Sequence, residues 1–342
     1  MNKAVLIIVF NRPDKFRKVL EPLKIVKPPR LYIAADGPRK NNKNDKIKCK
    51  ETRDIVKEID WECDIKTLFR DNNIGCEKSI SSSVSWFFEN EEDGIILEDD
   101  IVGDITFFSY CEKLLDYYKN DERVMHIGNN NVHDNNSLDS YYFCSIGNPW
   151  GWASWKRAWK YFDLGLSKYS YDEIKNSINN IFDDEIFRRF WIDCGFYMKT
   201  NTEKAVWDMS WIICMMINNG LSVYPNQNLI TNIGFDDSAT HCISSDNRYS
   251  NLQTQQLKEL KYLNEVGRNK YMDSKIMVEF YGQKPLNIKE ILNDLDRLNF
   301  IINETINKIV WLIPIKSIRN NVRNHIKNKL KSIKPNNYPV DL

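Results

Sequence analysis

The chain lacks an excess of charge of either sign: 48 Lys and Arg against 47 Asp and Glu leave +1 over 342 residues. So close a balance excludes a global field that would draw the protein to nucleic acid. The eight cysteines, at 49, 63, 76, 111, 144, 194, 214 and 242, never reach C-x-x-C spacing. Zinc knuckles and dithiol redox motifs are therefore excluded, and reduced thiols are expected. The first apolar run leads into Asn11-Arg12-Pro13 rather than a small-residue cleavage site, so no signal peptide is expected. No apolar run approaches the roughly 20 residues of a spanning helix. The run 309–315 is short and carries Pro314. There is no G-x-G-x-x-G after the first apolar run and no G-x-x-x-x-G-K-S/T anywhere, which argues against dinucleotide and P-loop folds.

What is present begins with Gly94-Ile95-Ile96-Leu97-Glu98-Asp99-Asp100. Three apolar residues run into three consecutive acids. The apolar half suits a strand buried on both faces. Adjacent carboxylates repel one another and lose hydration when buried, so the strand ends where they begin. In an open α/β sheet that end is where ligands bind. A hard divalent cation is the simplest partner for the three acids, and a solvated acidic turn is the plainer alternative.

Around this stretch the pattern alternates. Buried-strand runs occupy 5–10, 31–35 and 64–69, with helical stretches at 14–23, 45–59 and 76–90 between them. The expectation is a largely parallel sheet with helices on both faces. Asp14 reads as the cap of the first helix. Each strand ends in polar residues: Asn11 and Arg12, Asp36, Arg70, and Glu98 to Asp100. Parallel strands bring such ends to one rim, which points to a nucleotide site.

Further along, a helix is expected over 104–118 and strands over 124–128 and 141–143. Pro149-Trp150-Gly151-Trp152 follows. Gly and Pro keep that piece from being a helical stripe, and flat indoles on a loop suit the apolar face of a sugar ring. Packing into the core is the competing role. Trp155 and Trp159 stand at helical spacing and read as core. Asp208 precedes an apolar helix closed by Gly220, and a helix cap is its ordinary role. His241, one of four histidines, is a minor candidate as a metal ligand. The stretch 246–300 reads as a polar helical extension. Between Thr305 and Val340 there are eight Lys or Arg and no acid. Ile315, Ile318, Val322, Ile326, Leu330 and Ile333 keep helical spacing beside Arg319, Arg323, Lys327 and Lys331, as in a helix lying on an anionic membrane surface or docked on its own domain.

Several of these pieces occur together in one known family. Val9-Phe10-Asn11-Arg12-Pro13, Ala34-Ala35-Asp36-Gly37-Pro38, Asn73-Ile74-Gly75-Cys76, Ile96-Leu97-Glu98-Asp99-Asp100, Pro149-Trp150-Gly151-Trp152 and Asn232-Ile233-Gly234-Phe235 resemble, in this order, GT-A-fold glycosyltransferases. The likeness is to the bacterial hemolytic-protein-like nucleotide-diphospho-sugar transferases and, more distantly, the N-acetylglucosaminyltransferase I type. It covers roughly residues 3–245.

The resemblance implies a Rossmann-like, mostly parallel sheet flanked by helices. It implies a transferase domain over 1–245, with a nucleotide-sugar half to about 130 and an acceptor half from 131. A helical extension over 246–304 and a basic amphipathic helix over 305–335 would follow. Phe10, Asn11, Arg12 and Asp36 would hold the base and ribose, and Arg70, Asn73, Gly75 and Lys78 would line the donor pocket. Glu98-Asp99-Asp100 stands at the DxD-like metal motif, with Glu in first place. Asp100 would ligate Mn²⁺ or Mg²⁺, with Glu98 and Asp99 nearby. Asp208 would match the base of inverting members, and Trp150 and Trp152 would wall the acceptor side.

The implied activity is metal-dependent inverting transfer from a nucleoside diphosphate sugar, UDP-sugar favoured, to a glycan or lipid-linked glycan hydroxyl. A cytoplasmic enzyme at the inner membrane face, serving surface polysaccharide synthesis, is expected. A sugar nucleotidyltransferase, a Trp-rich carbohydrate-binding protein and a non-catalytic transferase fold are the alternatives.

Overall fold

The computed structural model describes residues 1–128, 139–235, 251–285, 297–298, 300–306, 308 and 316–332. The chain divides into two compact units, Met1–Pro285 and Leu286–Leu342. The first holds an eight-stranded sheet in the order β3-β2-β1-β4-β8-β6-β9-β7. The strands are β1 (Ala4–Val9), β2 (Arg30–Ala35), β3 (Asp64–Phe69), β4 (Asp93–Glu98), β6 (Val124–Ile127), β7 (Tyr141–Cys144), β8 (Trp152–Trp155) and β9 (Leu221–Pro225). β1, β2, β3 and β4 run parallel. β8 runs against β4 and β6, β6 is parallel to β9, and β7 is antiparallel to β9. Six strands thus share one direction, and the fold is the expected mixed α/β architecture with a mostly parallel sheet. A two-stranded ribbon pairs β5 (Ile101–Gly103) with β10 (Ile230–Asn232).

Alternation along β1 explains why the sheet is covered on both faces. Ala4, Leu6 and Ile8 belong to one buried cluster, and Val5, Ile7 and Val9 to the other. Helix α1 (Pro13–Val26) follows β1 and puts Phe16, Val19, Leu20 and Leu23 into the second cluster. Helix α3 (Cys76–Asn90), between β3 and β4, puts Ile80, Val84 and Phe87 into the first. The crossovers therefore cover opposite faces on either side of the β1–β4 pair. Where successive crossovers change face, the carboxyl ends of the two strands are left uncovered, and a crevice opens.

Helix ends follow local chemistry. Pro13 opens α1 with Arg12, not Asp14, at the N-cap; Asp14 is the second residue of the helix, two positions past the cap. Helix α2 covers only Lys43–Asp54, and a 3₁₀ turn, Ile55–Glu58, completes the expected stretch. Asp104 caps α4 (Ile105–Tyr117) through Thr106 N–H. Past the short α5 (Lys156–Trp159), a Ser170–Glu173 capping box starts α6 (Tyr171–Ile181), and Asp184 caps α7 (Glu185–Thr200). Helix α8 (Trp207–Ile217) begins one turn position before Asp208, so Asp208 lies inside the first turn and Val206 is the cap residue.

Trp155 and Trp159 are both buried, though not as a helical stripe. The chain changes from β8 into α5 between them, and they fall into opposite clusters. The expected helical reading of 246–300 holds only in part where it is described, since residues 297, 298 and 300 are helical and 251–269 are not. Residues 251–269 carry no helix, and only α9 (Lys270–Glu279) is helical before Pro285. Polar composition there reflects an extended segment whose backbone bonds to the core, as Leu257 N–H does to Thr106 Oγ1 at 3.1 Å. In the second unit a helix spans Lys316–Ser332. Among the described residues no helix is long and apolar enough to cross a membrane.

Candidate active site

β4 ends at Glu98, and the chain turns through Asp99 and Asp100 into β5. Register places Glu98 opposite Ile8 of β1, so the acids emerge beside Phe10, Asn11 and Arg12. Asp99 is 2% exposed and its Oδ2 accepts the Phe10 N–H at 3.2 Å. Arg12 bridges the two aspartates, with Nη2 2.5 Å from Asp99 Oδ1 and Nη1 2.9 Å from Asp100 Oδ2. Its guanidinium is disfavoured by burial, but the charges of Asp99, Asp100 and Glu98 outweigh that and raise its pKa. One cation facing three acids leaves the cluster short of positive charge. Burial first, and then Asp100 and Asp99, push Glu98 well above the ordinary carboxyl range. Asp99 is raised too, by burial against the opposing pull of Arg12.

A cavity of about 740 Å³ adjoins the acids, lined among others by Phe10, Asn11, Asp36, Arg39, Asn73 and Glu98. That volume is in the range of small-molecule and cofactor sites. Asp36, at the end of β2, is buried and accepts from Gly37 N–H, Ile74 N–H and Asn73 Nδ2 at 2.8, 3.1 and 2.9 Å. Asp36 and Asn73 thus lock two loops together while forming the cavity wall. The floor includes residues that strand-end reasoning missed. Arg39 and Asp45 pair at 2.5 Å, Asn11 Nδ2 donates to Asp45 Oδ1 at 2.9 Å, and the Arg39 guanidinium lies 5.5 Å from the Phe10 ring centroid. The hydrogen bond from Arg39 lowers the Asp45 pKa against the effect of burial. The sequence signal was the polar run after Asp36-Gly37-Pro38, which reads only as a loop.

The other expected residues separate into groups. Asp208 is half-buried, its Oδ1 accepts the Met209 N–H at 2.7 Å, and its charge reaches Glu98. It sits in the first turn of α8. Arg70 does not line the cavity; its guanidinium donates to Ser82 and Ser83 of α3 at 2.8 and 3.3 Å. Gly75 is the α3 N-cap at φ +88° and is likewise outside the lining. Lys78 points into solvent and pairs with Glu203 at 3.3 Å. Trp150 is half-buried. Trp152 is 1% exposed, and its indole stacks on His126 at 5.1 Å between ring centroids and packs on Trp159, Trp207 and Trp211. An inward position on β8 gives it no face for a ligand, so the acceptor role expected of it is corrected to core packing. His241 lies outside the described residues.

The donor set around Asp100 is made of hard carboxylate oxygens, which suits Mn²⁺ or Mg²⁺. Among the described residues no group of three His, Cys, Asp or Glu side chains is arranged to hold an ion. A cation held by Asp100 would complete its shell with other oxygens, such as those of water or a bound ligand. Gly234 is fitted to this point: a Cβ there would lie 2.2 Å from Asp100 Oδ2, while Ile233 N–H donates to the Asp100 carbonyl at 2.9 Å.

No protein-family model and no curated protein sequence matches the chain. Among solved structures, it is similar in part to residues 1-349 of TarS from S. aureus, with 10% identity, TM-score 0.38 and coverage of 67% of this chain and 59% of that one. The chain thus spans less than two thirds of that structure. HddC from Yersinia pseudotuberculosis shows 8% identity and TM-score 0.28 over 45% of this chain and 77% of that one. Mouse xyloside xylosyltransferase 1, in its apo form, shows 9% identity and TM-score 0.32 over 63% and 81%. Likenesses this low add nothing to the functional argument, which rests on the site itself.

Proposed function

We propose that the protein is a metal-dependent inverting glycosyltransferase of GT-A type, using a nucleoside diphosphate sugar, with UDP the favoured nucleotide. The observation that carries this is the meeting of Glu98 and Asp99, with Asp100 next in the chain, with a 740 Å³ cavity at the uncovered ends of β1 and β4. Phe10, Asn11, Asp36, Arg39 and Asn73 would take the nucleotide. Asp100 would hold Mn²⁺ or Mg²⁺, which neutralises charge on the leaving diphosphate. Arg12, already between the two aspartates, is placed to turn toward a phosphate oxygen. Asp208 takes the proton of the acceptor hydroxyl as its oxygen bonds to the sugar C1 and the C1–diphosphate bond breaks. Displacement by a nucleophile on the face opposite the leaving group inverts that carbon.

The acceptor is a glycan or lipid-linked glycan of surface polysaccharide synthesis. The helix Lys316–Ser332 supports a peripheral place on an anionic membrane, since it carries Lys316, Arg319, Arg323, Lys327, Lys329 and Lys331 without one acid. Anionic vesicles should pellet the full chain and should lose it on deletion of 316–342; equal pelleting would remove the membrane from the proposal.

Thermal stability measured with UDP, GDP, CDP and dTDP, with and without Mn²⁺, tests the central reading. One nucleotide should stabilise the wild type only with Mn²⁺ and should fail on Asp100→Ala. No shift with any nucleotide would leave a carbohydrate-binding protein as the better account.

A further inference from the structure

Helix α8 starts without a cap of its own. Val206, the residue before its first turn, contributes no side-chain hydrogen bond, and a helix N-terminus leaves its first N–H groups without partners inside the helix. The Trp207 N–H finds its acceptor 130 residues earlier in the chain, donating to Glu77 Oε2 at 2.6 Å. A carboxylate is favoured there twice, by the charge-assisted hydrogen bond and by the positive end of the helix dipole. Glu77 itself lies in the first turn of α3, so this bond joins the N-termini of two helices.

Each of the two turns carries part of the site. From α3, Cys76, Ser79 and Ile80 line the 740 Å³ cavity. From α8, Asp208 directly follows Trp207. Cys76 stands within reach of both, since burial first, and then the charges of Glu98, Glu77 and Asp208, push its thiol up to about 12. The Trp207 side chain is fixed as well, buried and stacked on Trp152 at 6.1 Å between ring centroids. The indole is held by the core and the N–H by Glu77, so the backbone beside Asp208 is secured from two directions. Glu77 lies one residue past the Asn73-Ile74-Gly75-Cys76 motif and belongs to none of the pieces that carry the family resemblance.

We propose that Glu77 is a positioning residue for Asp208: by accepting the Trp207 N–H it fixes the first turn of α8 against the cavity wall built by α3. The role as positioner of a base rests on the transferase reading, whereas the hold of Glu77 on α8 does not. Glu77 touches no reacting atom and acts only through the placement of the Asp208 carboxylate. A misplacement of about 1 Å is enough to slow a reaction about 10²-fold.

Two measurements on the full chain test this. The first is UDP release from UDP-glucose, UDP-galactose and UDP-N-acetylglucosamine in Mn²⁺, with water as acceptor: its oxygen bonds to C1, its proton passes to Asp208 and UDP leaves. Glu77→Ala should lower kcat by about 10²-fold with KM near wild type. Glu77→Asp, which keeps the charge but shortens the reach, should also lose rate, and Glu77→Gln, which keeps an acceptor oxygen at full reach, should recover most of it. In an Asp208→Asn background Glu77→Ala should add no further loss, because a residue acting through another has nothing left to position. Additive losses, or a raised KM with kcat intact, overturn the positioning role.

The second measurement, amide hydrogen exchange across 207–210, needs no substrate, and exchange in β1 and β2 checks that each variant is folded. Exchange at 207–210 should quicken in Glu77→Ala and stay near wild type in Glu77→Gln; equal exchange in all three proteins overturns the proposal. Faster exchange in Glu77→Ala without UDP release from any protein, wild type included, removes the transferase reading and leaves Glu77 as a cap of α8 alone. Faster exchange with Asp208→Asn as active as wild type removes Asp208 as the base, and the positioning role with it.

Discussion

The two halves of the sheet solve different problems. Around β3, β2, β1 and β4, regular parallel strands bring polar chain ends to one edge, and a cavity of about 740 Å³ opens beside them. Around β8, β6, β9 and β7, mixed strand directions surround a block of aromatic rings that excludes water. His126 shows how dry that block is. Its Nε2–H donates to the Asn148 carbonyl at 3.0 Å while Nδ1 accepts from Trp211 at 3.3 Å, and burial lowers its pKa to about 3. The first half gathers its charges at the strand ends, whereas the aromatic block of the second leaves His126 neutral and confines buried charge to the Asp273–Arg268 pair beside β7.

The comparison can be broken most forcefully at Trp152. Trp152→Ala should cost about 3–5 kcal/mol in urea unfolding, because a sealed indole leaves a cavity; a loss below ~1 kcal/mol would mean the block is not core. Next, with the transfer reaction in hand, Asp100→Ala should lower turnover by about 10²–10³-fold. Its unfolding midpoint should stay near wild type. A variant that unfolds instead would place Asp100 in the frame of the fold.

A pH test comes third. Buried Asp273 accepts the Ser145 N–H at 2.8 Å and sits 3.4 Å from Arg268, and burial raises its pKa to about 7. The folded chain then holds a proton that the unfolded chain releases near pH 4. This contribution to stability is full below that pH and is lost as pH rises toward 7. Asp273→Asn keeps the acceptor oxygen and should flatten that part of the stability curve. An unchanged slope would show that Asp273 is ionised throughout. The smallest effect is expected at Lys78, whose exposed pair with Glu203 is worth no more than about 1 kcal/mol. Lys78→Ala should leave nucleotide-induced stabilisation intact.

These contrasts also explain what could be read from residues alone. β3 and α3 were expected at 64–69 and 76–90 and occur as Asp64–Phe69 and Cys76–Asn90, because periodicity and a turn bounded each of them. The acid cluster was legible for the same reason: an apolar run ending in three carboxylates has few places to go. Trp155 and Trp159 defeated spacing because a strand-to-helix junction mimics one helical turn. Trp152 defeated composition, since Gly151 beside it suggested a loop while β8 pairs it with Ile96. Arg39 and Asp45 were hidden because a hydrogen bond from a loop residue to the first turn of α2 leaves no period. Arg70 was misplaced for the opposite reason. It ends a strand at the right rim, and only the serines of α3 show where its side chain turns.

The Arg12 bridge has a consequence in time. Chains emerge from the N-terminus, so Arg12 is made well before Glu98, Asp99 and Asp100. When the acids appear, their counter-ion and the strand they must join already exist. The Ile8–Glu98 pairing that seats them closes a long loop, which is slow and entropically costly. Opposite charge at the end of that loop rewards the closure as soon as it occurs. The cap contributed by Gly234 comes last, so the site is completed only when the chain has passed the second half of the sheet.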